Sequence, residues 1–211
     1  MNCPAFQSRE KKENELMNCP AFQGRDKKEN EFKQYKIKMK DLHVDQSGEL
    51  EIKPSTRSSH KDFDFFIGKW RIKNRKLKSR LDNCTEWLEF EATQTDYKAL
   101  NGLANMDHFY ATINGKPFEG MTVRLFDPKT KLWSIYWADS NSGKLDKPVM
   151  GSFEKNIGYF YTRDIFRGKA IIMLFQWDKT DKDNPVWSQA YSTDNGKTWE
   201  WNWYMYMSRM N

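Results

Sequence analysis

Ten short segments in which polar and apolar residues alternate follow one another: 69–78, 86–95, 103–112, 118–126, 131–138, 148–154, 158–166, 169–177, 186–192 and 198–208. Strand side chains point to opposite faces in turn, so each segment reads as a strand with one dry face. Turn sequences punctuate the run, among them Asn114-Gly115, Asp127-Pro128, Ser142-Gly143, Arg167-Gly168 and Asp194-Asn195-Gly196. These residues tolerate positive φ or preset a turn. No amphipathic helix of about 12 residues interrupts the series. Ten strands joined by hairpins predict an all-β, up-and-down antiparallel barrel, because closure removes the two exposed sheet edges. A two-sheet sandwich is the alternative.

The segments begin only after residue 62, which divides the chain into a charged extension, 1–61, and a barrel, 62–211. Residues 1–16 and 17–32 are a tandem repeat that differs only at Ser8/Gly24, Glu10/Asp26 and Leu16/Phe32. Two 16-residue copies cannot build a solenoid, so a duplication that includes the starting Met is the preferred reading, with an interaction arm as the alternative. Pro4 and Pro20 suit the first turn of short charged helices. Few large apolar residues could dock such helices, so this part is expected to be partly helical or disordered. Residues 33–61, with Ser47-Gly48 and Pro54-Ser55-Thr56, have a linker composition.

Charge excludes one function class. Lys plus Arg against Asp plus Glu count 13 against 10 in 1–61 and 22 against 19 in 62–211, so each part carries only +3. A nucleic-acid binder normally clusters its basic residues. Lys69, Arg71, Lys73 and Arg75 do share a strand face, yet Trp70, Ile72 and Asn74 share the other, which predicts a solvated outer row over an apolar inner one. Cys3, Cys19 and Cys84 form neither a disulfide framework nor a zinc set. No apolar window of about 18 residues and no secretory h-region is present, so neither a membrane nor export is expected, and the cytoplasm is the default compartment.

Catalytic motifs are missing: no phosphate-binding Gly loop, no GxSxG elbow and no Cys/His pair with a local signature. His43, His60 and His108 are scattered, so neither a metal nor a cofactor is expected. Aromatic rows are more informative. Trp133, Ile135 and Trp137 share a face, as do Ile171, Met173, Phe175 and Trp177, while single polar groups stand among apolar neighbours at Arg124, Tyr136, Gln189 and Asn202. A cavity of aromatic walls with a few fixed polar groups suits a small molecule.

Residues 192–199, Ser-Thr-Asp-Asn-Gly-Lys-Thr-Trp, match the Asp-box pattern S-x-D-x-G-x-T-W seen at hairpin turns of bacterial sialidases and related propellers. A propeller repeats its blades, whereas this chain carries the motif once. The match therefore reads as the last hairpin of a barrel, with Asp194 and Gly196 shaping its turn. Trp199, Trp201, Trp203, Met205 and Met207 then alternate onto one face.

Several segments together resemble an uncharacterised bacterial domain family for which a lipocalin-like (calycin) barrel is expected. They are Asp62-Phe63-Asp64-Phe65-Phe66-Ile67-Gly68-Lys69-Trp70, Gly120 to Asp127, Trp133 to Trp137, Pro148 to Phe153, Trp187 to Ser192 and Asp194 to Arg209. Trp201 departs from the pattern, which has a smaller polar residue there. The resemblance implies a fold and no settled activity. In lipocalin-like barrels a G-x-W Trp on the first strand packs beneath a basic residue near the C-terminus, which here implies a cation–π contact between Trp70 and Arg209. Haem-binding barrels of the nitrobindin type use a late His, and none follows His108.

The leading expectation is therefore a barrel, non-enzymatic or of unassigned activity, that binds a small, largely apolar molecule. Arg124 would pair an anionic head group, Trp133, Tyr136 and Trp137 would line the cavity, and Gln189 and Asn202 would supply polar contacts. The alternative is an enzyme on a sugar or lipid-like substrate, with paired carboxylates as acid and base. A homodimer is compatible with either reading.

Overall fold

A computed structural model describes residues 42–45 and 49–210. The tandem repeat, Cys3, Cys19 and the side chain of His43 lie outside the described residues. Two short strands, β1 (Leu42–Val44) and β2 (Leu50–Ile52), pair antiparallel within the segment that composition alone marks as linker. Ten longer strands follow: β3 (Gly68–Leu77), β4 (Trp87–Ala99), β5 (Ala104–Ile113), β6 (Lys116–Asp127), β7 (Leu132–Asp139), β8 (Val149–Glu154), β9 (Ile157–Phe166), β10 (Lys169–Asp178), β11 (Val186–Ser192) and β12 (Glu200–Met210). Each pairs antiparallel with its neighbours in sequence, and β12 pairs with β3, so the sheet closes into a barrel. The expected meander is what the chain forms.

Period-two patterning selects the faces. On β3, Trp70, Ile72 and Asn74 are buried and Lys69, Arg71 and Lys73 are exposed. On β6, Gly120, Thr122, Arg124 and Phe126 turn inward in the same manner. A 3-10 turn at Asp64–Phe66 plugs one end of the barrel. There Phe63 meets Trp133, Phe153 and Trp177 edge-on at centroid separations of 5.0, 5.1 and 5.6 Å. Phe66 lies 5.2 Å from Trp70, whose indole Nε1 donates 2.7 Å to the Phe66 carbonyl. Edge-to-face rings of this kind add to the burial of their area and fix the plug's orientation.

Arg209, near the end of β12, clamps the plug from the outside. Its guanidinium carbon lies 4.3 Å from the Trp70 ring centroid, and Nη1 and Nη2 donate to the carbonyls of Ile67 (3.1 Å) and Phe65 (2.5 Å). Gly68 has a φ of 121°, and a Cβ there would approach Arg209 Nη1 to 3.3 Å. Position 68 thus requires glycine for its backbone and for the clamp.

The hairpin before β12 forms the expected Asx-type turn. Asp194 accepts from the Thr198 N–H (2.9 Å) and Thr198 Oγ1 (2.6 Å), and the Ser192 hydroxyl accepts from the Gly196 N–H at 2.8 Å. Asn195 and Gly196 take φ of 59° and 84°. Alternation does not, however, run unbroken from Trp199 to Met207. Gln189 pairs with Trp203 but Ala190 pairs with Trp201, which leaves Asn202 as an unpaired bulge residue. The extra residue reverses the faces. Trp203, Met205 and Met207 point inward, whereas Trp201 shares the outer face with Ala190 and stacks on Tyr204 at 6.3 Å.

Candidate functional site

Above the plug the barrel encloses a cavity of about 310 Å³. Phe109 on β5, Trp137 on β7, Phe175 on β10, Trp187 on β11 and Trp203 on β12 wall it with rings, and Met173, Met205 and Met207 fill between them. Trp187 holds the wall together, edge-on to Phe175 at 4.8 Å and to Trp203 at 5.5 Å. Gln94, Thr122, Arg124 and Gln189 are among the polar side chains of the lining.

Arg124 is the centre of a buried polar cluster. Nη1 donates to Asp96 Oδ2 and Asn105 Oδ1, both at 2.9 Å, and Nη2 donates to Asp107 Oδ2 at 2.6 Å. The guanidinium also sits 5.1 Å from the Phe66 ring, 5.3 Å from Phe63 and 5.7 Å from Trp177. One cation faces two carboxyls here, so one carboxyl lacks a counter-charge. Burial drives the Asp96 pKa up to about 8, with Arg124 opposing and Asp107 reinforcing the rise. Burial likewise raises Asp107 against the pull of Arg124. A proton on Asp96 leaves the trio neutral, which is how a dry site accommodates an odd number of charges.

The residues singled out from the sequence divide by position. Arg124, Trp137 and Gln189 line the cavity. Trp133 points inward but lies at the plug, packed on Phe63 and Phe126 with Nε1 donating to the Ser59 carbonyl at 3.2 Å. Tyr136 has the opposite parity to Ile135 and Trp137, so it is on the outer face and cannot line the interior with them. Asn202 is fully buried in the bulge and accepts from Gln189 Nε2 at 2.8 Å, so it orients a lining residue without being one. Arg124 reaches the cavity with its charge already engaged by carboxylates, which corrects its expected part as a free anion anchor.

Sequence reading passed over the cations that do stand unpaired in the lining. Lys76 continues the inward parity of Trp70, Ile72 and Asn74, and its Nζ lies 3.7 Å from the Trp203 ring centroid. Arg80 follows at the mouth, donating to the Tyr191 hydroxyl at 3.0 Å. Parity alone could have found Lys76, had the inner row been followed one residue further. Elsewhere His108 is exposed and shares a 3.0 Å hydrogen bond with Tyr110. Among the described residues no group of His, Cys, Asp and Glu side chains could hold a metal ion, and no helix is long and apolar enough to cross a membrane.

No family model and no curated protein matches the sequence. Among solved structures, the S-type phycobiliprotein lyase CPES from Guillardia theta is similar, with a TM-score of 0.51 over 74% of this chain and 94% of that one. Identity is 8%, so the likeness is one of fold: both are barrels of the lipocalin-like kind.

Proposed function

We propose that this barrel binds a small, largely apolar molecule in its interior. The observation that carries the reading is the cavity itself, about 310 Å³ of space walled by Phe109, Trp137, Phe175, Trp187 and Trp203 with a few polar groups at fixed places. A core evolved only for stability is packed without such space, since empty volume forfeits dispersion contacts. The volume lies at the low end of small-molecule sites, which favours a compact ligand of one or two rings or a short chain. Gln189, held by Asn202, offers its carbonyl oxygen, and Arg124 Nε has no acceptor among the described residues. The Gln189 oxygen is suited to meet a hydrogen-bond donor of the ligand, whereas Arg124 Nε is itself buried.

Hydrolysis by paired carboxylates finds less support. Asp96 and Asp107 are both bound to Arg124 and neither lines the space, and of the three acids that do, Asp139, Asp146 and Asp164, Asp139 is engaged by the Trp137 indole and the Asn141 and Ser142 N–H groups. The resemblance in fold to a phycobiliprotein lyase brings no activity with it at 8% identity.

Native mass spectrometry of protein purified from its own host tests the proposal. A stoichiometric small molecule that is released on denaturation is expected. Purified protein that carries nothing, and whose Trp fluorescence no compact apolar compound alters, would overturn it.

A further inference from the structure

The cavity's charges are not spread evenly. Lys76 and Arg80 both line it, and neither has a carboxylate oxygen within 4 Å among the described residues. What they have instead is aromatic. Lys76 Nζ stands 3.7 Å from the Trp203 centroid, and the Arg80 guanidinium lies 4.8 Å from Phe166 and 5.5 Å from Tyr191. Ring faces attract cations but replace only part of the lost hydration. Asp139 is the acidic neighbour that acts on Lys76, but its Oδ1 accepts the backbone N–H groups of Asn141 and Ser142, and its Oδ2 accepts from Trp137 Nε1. Asp146 and Asp164 line the rim and repel each other, and Lys147 adds a third cation there.

We infer that Lys76 and Arg80 form the anion end of the cavity, holding the carboxylate of a ligand whose apolar body lies against the aromatic wall. This inference rests on the cavity-binding reading above and names its ligand class. Two cations in one stretch of the lining, neither in an ion pair within 4 Å among the described residues, are what a ligand carboxylate would complete, because a charge-assisted hydrogen bond in a partly dry site is stronger than one in water. The Arg124 cluster cannot serve in that way, since it already holds two carboxyls. Burial first, then repulsion from Arg80, lowers the Lys76 pKa to about 8, against an opposing pull from Asp139. A bound carboxylate would raise it again, so binding takes up a proton once the pH exceeds about 8.

Titration calorimetry of the full chain with 4-phenylbutyrate and its neutral counterpart 4-phenylbutanol tests this. At about pH 7 the acid is expected to bind roughly tenfold more tightly than the alcohol. That advantage should shrink several-fold by about pH 9.5, while the alcohol's affinity stays level. Lys76→Met should remove most of the acid's advantage and leave the alcohol's affinity within about twofold. If the alcohol binds and the acid gains nothing, the anion end is wrong and the cavity reading stands. If neither binds at millimolar concentration, both fail. An acid preference that survives Lys76→Met, or that ignores pH through 8, also overturns the assignment. Should the variant not fold, the pH series on the unaltered protein decides alone.

Discussion

Arg124 Nη2 lies 2.6 Å from Asp107 Oδ2, with the arginine 3% and the aspartate 1% exposed. A pair this dry is costly to break from one side. Removing the cation leaves two carboxyls, Asp107 and Asp96, that must both take protons in order to stay buried.

Arg124→Met is therefore expected to destabilise the barrel by about 3–5 kcal/mol. Asp96→Asn should cost far less, because the raised Asp96 pKa means that the folded protein already favours its neutral form. The same shift sets a pH dependence. A carboxyl whose folded pKa is raised from 3.8 to about 8 keeps its proton in the fold while the unfolded chain loses it. Stability from this group is thus fully present below about pH 4 and declines as the pH rises to about 8. Urea denaturation of the wild type and Asp96→Asn across that range checks it: the wild type should lose ground to the variant as pH rises. An unchanged difference would remove the protonated-Asp96 account.

Arg209 ties the two chain ends of the barrel through one side chain. It stacks on Trp70, bonds two carbonyls of the plug and meets Asp183 Oδ1 at 2.8 Å. Arg209→Ala should cost roughly 1–3 kcal/mol, the sum expected of a cation–π contact and charge-assisted bonds to two partly exposed carbonyls. Arg209→Lys should recover less than half, since an ammonium cannot fork to Phe65 and Ile67 while it lies flat on the indole. Thermal unfolding of the two variants separates these outcomes, and full rescue by Lys would reduce the clamp to a point charge.

These cases show where sequence pattern carries and where it stops. The ten strands were legible because period two and turn residues are local signals, whereas the contact of Trp70 with Arg209 came only from the resemblance to lipocalin-like barrels. Arg124 was legible as an inward polar group, but its partners Asp96 and Asp107 sit on other strands. Only the register of β4 against β5 and of β5 against β6 brings the three together. The bulge at Asn202 is likewise a property of the β11–β12 pairing, and it exchanges the faces of Trp201 and Trp203 that simple alternation would give both. The β1–β2 hairpin escaped because three-residue strands in polar sequence leave almost no periodic signal.

Asp194 makes the closing hairpin turn sensitive to acid. Its carboxylate is held well below the ordinary range, first by the Thr198 hydroxyl and then by the Thr198 N–H. A depressed carboxylate stabilises the fold above its unfolded value of 3.8, and this contribution is lost as the pH falls below that value. Asp194→Ala is expected to lower the melting temperature near neutrality, with the gap to wild type closing below about pH 4. A gap independent of pH would mean that Asp194 stabilises the turn by something other than its ionised form, and no gap at all would leave the turn to Ser192 and Gly196.

Gly120 tests the cavity directly. It sits on β6 opposite Phe109, and a Cβ at this position would overlap the six-membered ring of Trp137. The backbone there is ordinary extended strand, so the requirement for glycine is one of space and not of φ. In Gly120→Ala the indole must therefore move, and the open volume beside it is the cavity. Overpacking of this kind costs about 1–3 kcal/mol, less if the ring can swing into empty space. The displaced ring would occupy volume needed by a ligand and would strain its Nε1 bond to Asp139. The variant is accordingly expected to stay folded, shift its Trp emission, and bind 4-phenylbutanol at least about tenfold more weakly than the wild type. Unchanged affinity in a folded Gly120→Ala protein would place the ligand somewhere other than against Trp137.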